Sequence, residues 1–330
     1  MHGDCVRRRS IHQHVPRGAC GLPRAAAHPI QEYMEDIAMM KLRLSSRATS
    51  AGFLAPGLIL LAVFVVAPIL LTAWISLHSG SLIMSYSEMP WVGLRNYIVI
   101  FQQPTFRTAL FNTFLYSFAS LVIIVPLSVA LGIFLYQSTI RGRGILRTLL
   151  FIPYMIPNVA IAIVWGYLYA PQYGPLNQIL GWFHIGPQDW LASIHQAMLS
   201  LIILNVWQTL GYYVVLVIAG LTEIPRDYYE AASIDGASWL RQQFSLTIPL
   251  LRRSLAFIVV ILTINTLQVF DPVYVLTQGG PIDATNVVAF NMYQTAFNFG
   301  HAGLASAMAM VLLSVVLLLS LAQLRLFRSV

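Results

Sequence analysis

The sequence predicts an all-α, polytopic membrane protein with six spanning helices, and three observations carry that prediction. Charged residues fill only 9% of the 330 positions and hydrophobic ones 58%, with a mean hydropathy of +0.72. A soluble domain keeps roughly a quarter of its residues charged to hold its surface in water, so this composition belongs in lipid. Apolar runs recur at bilayer-crossing length, since about 20 helical residues at about 1.5 Å each span the hydrocarbon. Arginines, finally, gather in alternate segments between those runs.

Residues 1–47 read as a polar, basic leader, cytoplasmic and partly disordered, with a short surface helix near 33–44. Arg7, Arg8, Arg9, Arg17 and Arg24, then Lys41, Arg43 and Arg47, hold much of the formal charge of +7. That charge reads as membrane orientation and not as nucleic-acid binding. Cys5 and Cys20 lie in the same segment without metal-site spacing, which leaves the redox compartment open. Met34, Met39 and Met40 leave room for a later translation start.

Residues 48–330 read as one transmembrane domain. No Lys, Arg, Asp or Glu occurs from Ala48 to Ser87, and the first span is placed near 53–76. It is too long for a signal h-region and ends without a cleavage signal, so it is read as retained. Pro56 and Pro68 are tolerated because membrane neighbours can satisfy the freed backbone groups. The second span is placed near 112–136, the third near 148–169 with Pro153 and Pro157 bending it, and the fourth near 197–221. The fifth, near 254–271, is short and contains Asn265 and Gln268; the sixth is near 303–323.

Arg141, Arg143 and Arg147 follow the second span, Arg226, Arg241, Arg252 and Arg253 the fourth, and Arg325 and Arg328 the sixth. The intervening segments hold only Arg95 and Arg107. The positive-inside bias therefore places both termini and the 222–253 loop in the cytoplasm. Trp165, Tyr167, Tyr169 and Tyr173 cluster where the third span emerges and read as an interfacial belt. His78, His184, His195 and His301 read as surface histidines.

Within the spans the polar residues are amides and hydroxyls. Asn205, Gln208 and Thr209 stand at i, i+3 and i+4 and share one helix face; Asn265 and Gln268 share another, and Asn158 follows Pro157. An unsatisfied amide in hydrocarbon costs several kcal/mol, so these groups either join helices together or line a route for a hydroxyl-rich solute. The spans offer no mid-membrane carboxylate for a proton or sodium site, so uphill transport would draw its energy from elsewhere. No Walker glycine loop or catalytic motif is present. Asp227 and Asp235, eight apart, are the one hint of a metal-dependent membrane enzyme.

The 222–253 loop is the chain's soluble-looking stretch. Pro225 starts a short helix, Gly236 permits a sharp turn, a second short helix covers 238–244, and Pro249 limits continuation toward the fifth span. Ala231 and Ala232 allow close approach of another surface, with Glu230 and Asp235 at its rim.

Glu230, Ala231, Ala232, Gly236, Leu246, Ile248 and Pro249 have the spacing of the Glu-Ala-Ala signature loop. The loop resembles that of the inner-membrane permeases of binding-protein-dependent ABC importers. Val92, Gly93 and Leu94, Tyr173, Gly174 and Asn177, and Gly279, Gly280 and Pro281 extend the likeness to the carbohydrate branch, first-permease type, over about residues 48–328. The resemblance implies a type I importer-like core completed by a second homologous permease. It implies two ATP-binding subunits, which use ATP and Mg, seated on the 222–253 loop, and no cofactor on this chain. An extracytoplasmic solute-binding protein would meet outer residues such as Tyr173, Gly174, Asn177, Gly279, Gly280 and Pro281. A permease for amino acids, polyamines or phosphonates, and a non-transporting scaffold, are the other readings.

Overall fold

The computed structural model describes residues 51–81, 83–137 and 142–328. The expectations for residues 1–47, Cys5 and Cys20 among them, lie outside the described residues. The chain divides into two compact units, Met1–Ala67 and Pro68–Val330. In the first, residues 51–67 are helical, with a wider π turn at Ala62–Val66.

Helix α1 is Ala51–Ser76. There follow α2 (Arg95–Gln102), α3 (Pro104–Gln137), α4 (Arg143–Met155), α5 (Asn158–Leu168), α6 (Pro175–Trp182), α7 (Ala197–Thr222) and α8 (Asp227–Ile234). The last four are α9 (Trp239–Leu250), α10 (Arg252–Leu267), α11 (Val288–Tyr293) and α12 (Ala302–Arg328). Among the described residues the only β pairing is a single bridge between His78 and Trp91.

Four helices, α1, α3, α7 and α12, are long and apolar enough to cross a membrane, and the bent pairs α4–α5 and α9–α10, each taken as one span, raise the count to six. The first pair bends by 99° and the second by 67°. Pro157 holds Ile156 at ψ 137°, outside the helical region, because the proline ring clashes with a helical predecessor. The bend expected near 148–169 is thus close to a right angle, and it makes Asn158 the first residue of α5.

Helices α3, α7 and α10 share a buried core of Ile124, Ile133, Tyr213, Val217, Leu221 and Leu262. A second core joins α2, α3 and α12 through Ile100, Phe106 and Met308. A Cβ at Gly211 of α7 would collide with the Leu150 carbonyl of α4. Small residues at such crossings let membrane helices gain backbone van der Waals contact where no hydrophobic drive separates protein from lipid. Large apolar side chains also face outward: Phe118, Ile163 and Leu318 are 68%, 63% and 66% exposed, a surface suited to lipid tails and not to water.

Two surface expectations are corrected. Tyr167 and Tyr173 are exposed, but Trp165 and Tyr169 are buried, and the Tyr169 hydroxyl donates to the Ser200 carbonyl at 2.7 Å. His78 is also buried; it stacks on Trp74 with ring centroids 3.7 Å apart, and its Nδ1 lies 2.7 Å from the Trp74 carbonyl. The Tyr169 hydroxyl and the His78 ring nitrogen each find a backbone partner, which removes the penalty for leaving the interface.

Candidate functional site

A cavity of about 720 Å³ opens where the α4–α5 break, α7 and α10 face one another. All six residues expected from the sequence for a solute route line it: Asn158, Asn205, Gln208, Thr209, Asn265 and Gln268. The α4–α5 break presents Asn158, the i, i+3, i+4 spacing puts the α7 trio on one face, and the end of α10 brings Asn265 and Gln268.

The polar groups are tied into a relay. Gln208 Nε2 donates to Asn158 Oδ1 at 2.8 Å, and Asn158 Nδ2 donates to Asp271 Oδ2 at 2.9 Å. Asn205 Nδ2 donates to Ser120 Oγ at 3.0 Å, and Thr209 Oγ1 donates to the Asn205 carbonyl at 2.8 Å. Asn265 Nδ2 reaches the Tyr213 hydroxyl at 3.4 Å. Gln208 is buried, whereas Asn265 and Gln268 are exposed along the cavity wall. The first therefore joins helices, and the other two offer donors and acceptors to a solute.

Asp271 is the residue that sequence reasoning missed. Among the described residues that line the cavity it alone is an acidic or basic side chain. It is the last residue of the fifth span as placed from the sequence, near 254–271, whose polar residues are read there as amides and hydroxyls alone. The break after Gln268 turns it back toward Asn158. The three-residue rhythm of Asn265, Gln268 and Asp271 was the signal that could have found it. Tyr116, Tyr154 and Tyr213 add rings to the walls.

The 222–253 loop is built differently. Gly236 at φ +74° closes α8 with a Schellman turn, in which Ala237 N donates to the Ala232 carbonyl at 2.9 Å and Gly236 N to the Ser233 carbonyl at 3.1 Å. The loop is anchored at its base: Trp239 Nε1 donates to Gln137 Oε1 at 2.8 Å, and the Tyr229 hydroxyl lies 3.1 Å from Thr247 Oγ1. Glu230, Ala231, Asp235, Gly236 and Pro249 are exposed, and Ala232, Leu246 and Ile248 are half-buried. Ile234, Leu240 and Phe244 are 87%, 60% and 69% exposed. Asp227 and Asp235 stand at opposite ends of α8. Among the described residues no group of three His, Cys, Asp or Glu could hold a metal ion.

In the segments read from the sequence as outer, Tyr173 is exposed and Gly174 is buried. Asn177 faces inward: its Nδ2 donates to the Pro171 and Gln188 carbonyls at 3.0 and 2.9 Å, and its Oδ1 accepts from Trp190 Nε1 at 2.8 Å. Gly279 is buried, and Gly280 and Pro281 are half-buried. Asn112 pins that loop by donating to the Asp283 and Asn286 carbonyls at 2.9 and 3.0 Å. Ile282 projects from it, 85% exposed.

Membrane-spanning helices around a polar, amide-lined cavity, with a helical loop of exposed side chains between two of them, define a permease-type membrane subunit. The chain belongs to the family of binding-protein-dependent transport system inner membrane components, whose pattern matches residues 125–330. It is 38% identical over 283 residues to the trehalose/maltose transport system permease protein MalF of Thermococcus litoralis, covering 84% of this chain and 93% of that one. It is 30% identical to the arabinooligosaccharides transport system permease protein AraP of Bacillus subtilis, covering 91% and 95%. Its fold matches a chain of a bacterial ABC transporter involved in the import of the acidic polysaccharide alginate, with a TM-score of 0.77 at 21% identity, over 88% of this chain and 99% of that one.

Proposed function

We propose that this chain is the membrane permease of an ATP-driven importer that passes a neutral, hydroxyl-rich solute, a sugar or oligosaccharide, through the 720 Å³ cavity. The convergence of six uncharged amide and hydroxyl side chains on that one cavity carries the reading. An amide both donates and accepts, which matches sugar hydroxyls that do the same. Relatives named for trehalose, maltose and arabinooligosaccharides support the solute class. Asp271 would repel an acidic sugar; it is also the one observation that favours a second reading, an amine-bearing solute such as an amino acid or polyamine.

In this reading both termini and the 222–253 loop are cytoplasmic. Glu230, Ala231, Ala232, Asp235 and Gly236 seat α8 in a groove of an ATP-binding subunit, with Leu246, Ile248 and Pro249 holding its base. Two such subunits use the ATP and Mg, and a second, homologous permease completes the route. The apolar tip formed by Ile234, Leu240 and Phe244 supports a protein partner there. An extracytoplasmic binding protein delivers solute to the outer surface around Tyr173 and Pro281, where Gly174, Asn177, Gly279 and Gly280 shape the loops from within.

The test is ATP-dependent uptake of labelled neutral oligosaccharides by proteoliposomes holding the chain with its partner subunits and binding protein. Saturable uptake, lost when the binding protein is left out, is the expected result. ATP-independent movement, or no uptake of any neutral sugar beside brisk uptake of an amine, overturns it. Orientation is read separately: a Ser238→Cys thiol labelled only from outside sealed cells overturns the cytoplasmic loop.

A further inference from the structure

A second cavity, of about 540 Å³, lies where the end of α3, the start of α4 and the α8–α9 loop meet. Among the described residues, Arg143, Arg147 and Arg226 line it, and no Asp or Glu does. Arg147 is held in place by donating from Nη2 to the Leu135 carbonyl at 2.8 Å, while its Nε is buried with no hydrogen-bond partner. Arg143 is the first residue of α4, and Arg226 stands at the position just before α8 without a side-chain cap. Helix N-termini carry roughly half a positive charge, so a cation there is disfavoured and an anion favoured. Orientation alone would spread arginines over the cytoplasmic face; here three line one cleft, and the Arg147 Nε is buried in it without a hydrogen-bond partner. Beside the cleft, α4 shows Ile145, Leu149 and Ile152 on one face, 68%, 58% and 45% exposed, a strip against which acyl chains can lie.

We propose that this cleft binds a phosphate group, presented by an anionic phospholipid or by a soluble phosphate compound, between Arg147 and Arg226. Guanidinium groups suit phosphate because their N–H pairs match its oxygens. Trp239 and Tyr229, which also line the cleft, anchor the α8–α9 loop through Gln137 and Thr247. An occupant therefore stiffens the loop at its base. The binding itself does not depend on which solute the chain carries.

The full-length chain in nanodiscs tests this in two arms. In one, the discs are mainly phosphatidylcholine with a minor share of phosphatidylglycerol, and native mass spectrometry counts the phosphatidylglycerol retained on extraction. In the other, the discs are phosphatidylcholine alone and labelled inorganic phosphate is the probe. Binding in either arm is expected to fall about tenfold or more in the Arg147→Gln/Arg226→Gln variant, at about 1 kcal/mol for each arginine near the surface. Loss in the lipid arm identifies a lipid source, and loss in the phosphate arm a soluble one. Arg253→Gln, in a separate groove with Glu223, is expected to bind as the unaltered chain does. Arg226→Gln alone, at an exposed position, gives a variant with an intact bundle and is expected to show an intermediate loss. Binding in both arms that ignores Arg147 and Arg226, or that falls as far with Arg253→Gln, overturns the proposal.

Discussion

The cavity and the α8–α9 loop each invert the polarity of their surroundings, in opposite senses. The cavity gathers amides and a carboxylate inside an apolar bundle, and hydrogen bonds tie Gln208, Asn158 and Asp271 to one another. The loop is rich in polar and charged residues, yet its exposed side chains include Ile234, Leu240 and Phe244. A buried polar group must find partners within its own chain, because lipid offers none. An exposed apolar group can wait for a partner chain, because water tolerates it at about 25 cal/mol per Å². The relay from Gln208 to Asp271 is therefore satisfied within the chain, whereas the loop leaves its apolar side chains uncovered.

The difference between the two regions is most severely tested at Gly236. Val there must take a left-handed φ near +74°, at more than about 1 kcal/mol in a single turn of the loop. The expected outcome is a chain inserted normally in the membrane whose ATP-dependent uptake is abolished, measured beside the ATPase rate of the complex. Retained uptake would remove the loop's role in energy transfer.

Asp271→Ala strikes the cavity next. It leaves an Asn158 donor unpaired, at about 1–3 kcal/mol, and uptake is expected to fall about tenfold. Asp271→Asn keeps an acceptor and removes the charge, so a competition assay should show acidic oligosaccharides gaining relative to neutral ones. A smaller effect is expected at Ile234→Ser. Loss of its apolar contact should weaken ATP-binding subunit association about fivefold to tenfold, while the chain's own melting temperature stays put, since the side chain is 87% exposed. The smallest signal belongs to a double-mutant cycle on Asn158→Ala and Gln208→Ala, read by thermal unfolding in detergent. A coupling of about 0.6–1.7 kcal/mol is expected, the size found between membrane helices; additivity would mean that the relay joins nothing.

Much of the bundle was legible in the chain. Long charge-free runs specify spanning helices, because lipid requires every backbone group to be paired within its own segment. Pro157 marked the break in the third span, Gly236 the turn, and the spacing of Asn205, Gln208 and Thr209 a shared face. The two regions differ in legibility as well. The loop follows from local chemistry, since a Schellman turn is written within six residues, whereas the cavity depends on residues more than a hundred positions apart, as Asn158 and Asp271 are.

By itself, then, the sequence determined that the chain is helical, membrane-bound and equipped with a polar helical loop between its fourth and fifth spans, and which faces carry amides. Only the tertiary structure decided that those faces meet in one cavity, that Asp271 joins them, and that Trp165, Tyr169 and His78 are inside. The reason is physical: lipid tails and a protein interior are equally apolar, so hydropathy identifies what leaves water but not which side of a helix turns inward. That choice is made by packing and by hydrogen bonds between helices.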